Sequence, residues 1–341
     1  MKKLFTALIV LLIAGVLAVY LLLPRLLDAP LGVSDPQVLN VASGSSIIRL
    51  GNQLGEAAIV PYPQVWVWYA RLSGKAAQIQ AGEYALEPDM TSRQLLDNMV
   101  AGKVLLHRFT ILEGWTVWQL LDNLAAFDAL ENTLPDDIGV ETLGNQLGLS
   151  YEHAEGLFYP DTYSFPRGTT DSELLLIAAS RLQAELDEAW TGRAPESVIA
   201  NPYQLLTLAS IVERETAVDD ERPEIAGVFV NRLYKRMRLQ TDPTVIYGIG
   251  KDFNGNITSR DLKTDTPYNT YTRGGLPPTP ISLPARASLQ AAAHPASTAA
   301  LYFVATGDGS GRHVFSETLE EHNRAVAAYL KQLRLQRQKN R

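Results

Sequence analysis

Two glutamates close the stretch LASIVERET, Leu208 to Thr216, directly after residues that would line an apolar helix. A glutamate is seldom fully buried without a partner or a task. At 100° per residue, Leu205, Leu206, Leu208, Ala209, Ile211 and Val212 cover most of the helix circumference. Glu213 falls four residues after Ala209 and Glu215 four after Ile211, so both belong to the edge of the apolar arc. They leave it on opposite flanks, about 160° apart on the helical wheel, and cannot work as a pair on one bond. A carboxyl held in an apolar wall has its charged form disfavoured and its pKa raised, which is what a general acid needs at neutral pH. The plainer alternative is a boundary ion pair with Arg214, Arg222 or Arg232, because ion-pair networks also perturb pKa. Periodicity makes both acids half-buried and does not choose between them.

The sequence that follows favours chemistry on a sugar. RLQTDPTVIYGIG, TPYNTYTRGGLPPTPIS and AAAHP are dense in Tyr, Asn, Gln, Thr, Gly and Pro. Rigid loops of this kind suit a glycan rim, where aromatic faces stack on rings and amides bond hydroxyls, although the same residues also serve simply to stiffen long loops. Gln240, Thr241, Asp242, Tyr268, Asn269 and Tyr271 are the candidates for orienting sugars and stabilising charge at the reacting carbon. Asp242 and Glu155 are also candidates for a second carboxylate. No glycine-rich phosphate loop, G-x-S-x-G or nucleotide fingerprint competes. The chain has no cysteine, and its five histidines are scattered without an HExxH pair, so neither thiolate chemistry nor a histidine metal site is expected, and no cofactor. A net charge of −7 argues against a nucleic-acid binder.

These residues need elements to hold them. Across 341 residues, 46% hydrophobic and 20% charged, the composition is that of a globular protein with room for one large or two ordinary domains. Met1-Lys2-Lys3 precedes an uncharged apolar run from Leu4 to Leu23. Such a run covers a hydrocarbon core of ~30 Å, is longer than a signal-peptide core, and lacks small residues for cleavage. The leading lysines favour an N-terminus inside, so residues 1–3 are expected in the cytoplasm, 4–23 as a single transmembrane helix, and the rest outside. Residues 24–37 contain three prolines and suit a stem. From 38 to 106 the pattern is a small α+β region of strands and short helices. Thr91 with Gln94, and Thr116 with Gln119, form two capping boxes, and Ser46 starts a weaker third copy. From 107 to 330 the texture is larger mixed α+β without regular βαβ alternation. Helices are expected after a cap at Asp171 or Ser172, after Asn201, through RPEIAGVFVNRLYKRM, after a cap at Asp242, and at a proline start in LPARASLQAAAHP. ALYFVATGDGSGRHVFS reads as a β-hairpin, and 331–341 is a basic tail.

LASIVERET, NRLYKRMRLQTDPTVIYG, YNTYTRGGLPPTPIS, AAAHP and the upstream EGLFYPDTYSF together resemble the YceG-like (MltG) endolytic murein transglycosylases, in order and over nearly the whole chain. The resemblance implies a LysM-like subdomain at 38–106 and a catalytic domain at 107–330. It implies Glu213, at the end of ASIVE, as the catalytic acid, with Glu215 structural. It further implies cleavage of the MurNAc-β-1,4-GlcNAc bond within nascent peptidoglycan strands to 1,6-anhydro ends, terminating strand growth. The place implied is the periplasmic face of the inner membrane, near the synthases. A muramidase-type hydrolase and a membrane-anchored, non-catalytic glycan-binding scaffold are the alternatives.

Overall fold

The computed structural model describes residues 2–195 and 198–339. The fold is mixed α+β, in two compact units. One takes in the chain up to Arg108 together with Ser164–Thr169; the other takes in Phe109–Tyr163 and the chain from Thr170.

The first unit opens with α1 (Lys2–Leu27), whose Phe5–Leu27 stretch is long and apolar enough to cross a membrane. The helix does not end where the sequence suggests a stem. It runs through Pro24, whose missing N–H and bulky ring disturb only the preceding turn, and Pro24 O still accepts from Asp28 N at 2.7 Å. The last turn enters the unit's core: Leu27 is 1% exposed, and Leu31 and Val33 follow it inside. After β1 (Gln37–Val41) come α2 (Ile47–Glu56) and α3 (Pro63–Leu72), then β2 (Gly82–Leu86) and α4 (Ser92–Val100). β1 and β2 pair antiparallel, Gln37 opposite Leu86 and Val41 opposite Gly82. Leu54, Trp66, Leu96 and Met99 fill the space against them, and Trp66 satisfies its indole N–H on Ser92 O at 2.8 Å. Thr91 and Gln94 exchange both capping-box bonds, and Ser46 caps α2 through Arg49 N. β3 (Leu106–Thr110) closes this part of the chain.

The second unit begins with α5 (Val117–Ala125), capped reciprocally by Thr116 and Gln119, and α6 (Val140–Gln146). β4 (Thr162–Pro166), whose last three residues belong with the first unit, pairs with β3. α7 (Asp171–Gly192), α8 (Pro202–Glu215), α9 (Arg222–Tyr234), α10 (Asp242–Ile249) and α11 (Arg286–Ala293) follow. α8 is central, packing on α7, α9, α10 and α11. The expected hairpin is β5 (Tyr302–Ala305) against β6 (His313–Ser316), Tyr302 opposite Ser316, and α12 (Leu319–Lys339) lies on it. α12 takes up the expected basic tail as far as Lys339; the end of that tail, Asn340 and Arg341, lies outside the described residues.

Three helix starts differ from the expected residue, and at the first two the expected aspartate is bonded elsewhere. α7 is capped by Thr170, whose hydroxyl accepts from Glu173 N at 3.1 Å. The carboxylate of Asp171 is instead spent on Thr133 N and Leu134 N. α10 starts behind Thr241, not Asp242, and Thr241 sends its hydroxyl to another partner. α11 starts behind Ala285, one residue after the proline.

Glu155 is fully buried and accepts from Val117 N at 3.1 and 3.2 Å, covering the open N–H groups at the start of α5. Burial pushes its carboxyl up to about 8 from the model-compound value of 4.5. A raised acid contributes stability that is complete below its unfolded pKa and is lost as pH rises toward the folded one. Glu155→Gln carries no such loss. Its urea midpoint relative to wild type should therefore rise steadily between pH 4.5 and about 8, and a pH-independent difference would contradict this. Gly227 in α9 leaves no room for a side chain, since a Cβ would lie 2.6 Å from Ala296 O. Gly227→Ala should lower stability by ~1–3 kcal/mol, measured by the same denaturation.

Candidate active site

α8 is held by backbone chemistry at its start. Asn201 Oδ1 accepts from Gln204 N at 2.9 Å, Pro202 takes the first position, and Gln204 Oε1 accepts from Ala200 N at 2.9 Å. Every residue from Leu205 to Val212 is buried. Two of them are polar and both are satisfied. Thr207 donates to Tyr203 O at 2.7 Å; Ser210 donates to Thr207 O and accepts from Ile281 N at 3.0 Å. Ser282 Oγ returns a bond to Ser210 O. The segment leading into α11 is thus stitched to the middle of α8, and the two acids follow one turn later.

Their surroundings are disjoint, as opposite flanks require. Glu213 has a side chain only 5% exposed, its Oε2 accepts from Ala285 N at 3.0 Å, and Arg222 Nη2 lies 3.8 Å from its Oε1. Arg222 is itself buried and also pairs with Asp219, while its Nε has no hydrogen-bond partner. Arg214 turns away to Gly114 O at 3.0 Å, in a turn where Gly114 takes a left-handed φ of 72°. Glu113 stands beside this group. Its carboxyl is raised, first by desolvation and then by the charge of Glu213. Sequence reasoning passed over Glu113: it precedes α8 by a hundred residues, and an acid before a turn glycine is common.

Glu215 meets a different set. It accepts a hydrogen bond from Thr241 Oγ1. Burial, and after it the charge of Asp242, push its carboxyl up to about 7, opposed by that hydrogen bond and by Arg232. Arg232 spends its donors on the Leu301 and Leu239 carbonyls, at 2.6 and 2.7 Å, so it faces Glu215 as a more distant charge. Asp242 accepts from Tyr271 OH at 2.6 Å, and the phenol is held above its ordinary range, by burial first and then by that hydrogen bond. Thr241 N donates to Thr270 Oγ1 at 3.0 Å.

Of the residues selected from sequence, Thr241, Asp242 and Tyr271 therefore gather around Glu215, not Glu213. Gln240 is exposed and adopts a left-handed φ of 49°, strained for a residue with a side chain. Its N–H is fixed on Thr270 O at 3.2 Å. Asn269 is buried and organises the loop: its amide donates to Thr264 O at 2.7 Å and to Asp261 O, and its oxygen takes Tyr271 N at 2.9 Å. Tyr268 bonds Thr279 Oγ1 at 2.9 Å and sets its ring edge-on to Tyr247, which stacks on Trp118. Glu155 sits beneath these aromatics as the cap of α5. Along the first half of α8 runs a cleft of about 670 Å³, lined in part by Tyr151 and Tyr203, stacked 4.3 Å apart, with Leu276 and Pro277. Among the described residues, no cluster of His, Asp and Glu is arranged to hold a metal ion.

This architecture recurs in other proteins. An endolytic murein transglycosylase of Bacillus subtilis (strain 168) is 31% identical over 312 residues, covering 86% of this chain and 84% of that protein. A protein of the same description from Streptococcus pneumoniae (strain D39) is 27% identical, and there the alignment spans 58% of the longer relative. The crystal structure of a YceG-like protein from Listeria monocytogenes superposes with a TM-score of 0.53 at 32% identity, over 86% of this chain and 99% of that one. Residues 39–328, which include α8 and both carboxyl environments, match the YceG-like family as a whole. The chain belongs to the YceG-like family.

Proposed function

We propose that the protein is an endolytic murein transglycosylase whose general acid is Glu213. The observation that carries the assignment is the enclosed carboxyl of Glu213 at the end of α8, only 5% exposed, with Ala285 N on its Oε2, Arg222 3.8 Å from its Oε1 and a second acid, Glu113, beside it. A carboxyl held in place by its surroundings can deliver a proton at a fixed position. Glu213 also ends the ASIVE motif on which the sequence resemblance places the acid. Glu215, bonded to Thr241 in separate surroundings, is the structural acid of the pair.

The chemistry asks for little more than one well-placed carboxyl. Glu213 protonates the glycosidic oxygen as the MurNAc–GlcNAc bond breaks, leaving positive charge at the muramoyl C1. The muramoyl 6-hydroxyl then closes on C1 and returns its proton to the carboxylate, giving a 1,6-anhydro end without water. Glu113, close enough to feel the charge of Glu213, is the second carboxyl of that site. The names of the relatives support murein as the substrate. The strand–helix–helix–strand order of β1, α2, α3 and β2 supports reading residues 38–106 as a LysM-like glycan-holding module. α1 supports a single-pass anchor with both units on the periplasmic side, where the substrate is the nascent strand and the neighbours are its synthases.

Purified full-length protein in detergent should release anhydro-muramoyl ends from peptidoglycan, lighter by one water than reducing ends in mass spectrometry. Glu213→Gln should lose activity by at least ~10²-fold, and Glu215→Gln should retain more turnover than Glu213→Gln. The reverse order would move the acid to Glu215. Reducing ends would mean a hydrolase, and no new ends from a folded protein a scaffold.

A further inference from the structure

The second exposed apolar surface of the first unit adjoins the membrane helix. α3 buries Trp66 and Ala70, four residues apart, in the core, and turns Trp68 and Leu72, also four apart, outward. Trp68 is 68% exposed and Leu72 81%. Single exposed apolar residues are ordinary on a protein surface, but these two form one stripe on a helix that packs on α1. Polar contacts tie the same helix to the place where α1 ends. Tyr69, between the two exposed residues, accepts from Arg93 Nη1 at 3.3 Å, and Arg93 Nε pairs at 2.6 Å with Asp28, the residue that follows α1. The side chains of α1 just before this point are themselves exposed and apolar, with Tyr20 at 75% and Leu22 at 51%. The stripe on α3 thus lies on a helix that packs against α1 and is tied to the residue following it, near these exposed apolar side chains.

We propose that α3 is an interfacial membrane helix, seating Trp68 and Leu72 in the headgroup region of the bilayer that α1 spans. The proposal rests on reading α1 as the anchor. Tryptophan concentrates at that depth because its ring is apolar and its N–H is not. Arg25 near the end of α1 and Arg71 between Trp68 and Leu72 are exposed, placed to meet lipid phosphates. The occupant is thus a lipid surface with anionic headgroups. The first unit would lie against the membrane through two contacts, one spanning and one lateral.

The absence of cysteine makes the test direct. Full-length Leu72→Cys, Trp68→Cys and Tyr20→Cys, each labelled with a polarity-sensitive fluorophore, are reconstituted into phosphatidylcholine–phosphatidylglycerol vesicles carrying nitroxide lipids. The expected result is that labels at 68 and 72 are quenched by headgroup-level nitroxide and shielded several-fold from aqueous iodide, while the label at 20 is quenched from within the bilayer. If 20 is quenched but 68 and 72 stay open to iodide and untouched by lipid nitroxide, the proposal is overturned while the anchor stands. Shielding at 68 and 72 without lipid quenching overturns it too, because a protein surface then covers them. Loss of quenching at 20 removes the anchor, and the proposal with it.

Discussion

The second unit is arranged around one helix whose middle has no solvent face. From Leu205 to Val212 each side chain of α8 is enclosed, so four other helices and the segment before α11 must come to it. The polar interruptions, Thr207 and Ser210, are tolerated because both close hydrogen bonds within the core. An unsatisfied hydroxyl there would cost ~1–3 kcal/mol; a satisfied one specifies the partner instead. Ser210 does this, pairing with Ile281 and Ser282 and so setting where Ala285 presents its N–H.

Because the helix ends while still enclosed, its last two acids inherit two different environments within a single turn. One faces a buried guanidinium and a peptide N–H. The other is buried beside a carboxylate, which disfavours its charge, and takes a hydrogen bond from a threonine hydroxyl, which favours it. Here the separation follows from helix geometry alone, since residues two apart point nearly oppositely.

Much of this was legible in the sequence. The capping boxes at Thr91 and Thr116, the Asn201–Pro202 start of α8 and the Gly-rich hairpin turn are local signals, and each lies where its residues say. The helix starts at Thr170 and Thr241 were one residue off because an aspartate that resembles a cap had a stronger tertiary claim, at Thr133 for Asp171 and at Tyr271 for Asp242. Periodicity put both glutamates at the edge of the apolar arc but carries no information about what stands across from them. Glu113, Arg222 and Ala285 reach Glu213 from distant parts of the chain, and no local pattern joins them. Thr241, Asp242 and Tyr271 were selected by chemical type, and only the structure brings them together, around Glu215.

The end of α1 has a consequence for how this protein can be released. Leu27, in the helix's last turn, is part of the first unit's core, and Leu31 and Val33 continue it. Read as the proposed anchor, α1 is not a tether joined through a loose stem but a post whose foot is built into the domain. A protease that trimmed the chain between Leu23 and β1 would cut into packed structure, removing side chains that Leu54 and Trp66 share a core with. On that reading shedding and folding are coupled: the unit gives up part of its interior if it gives up a membrane.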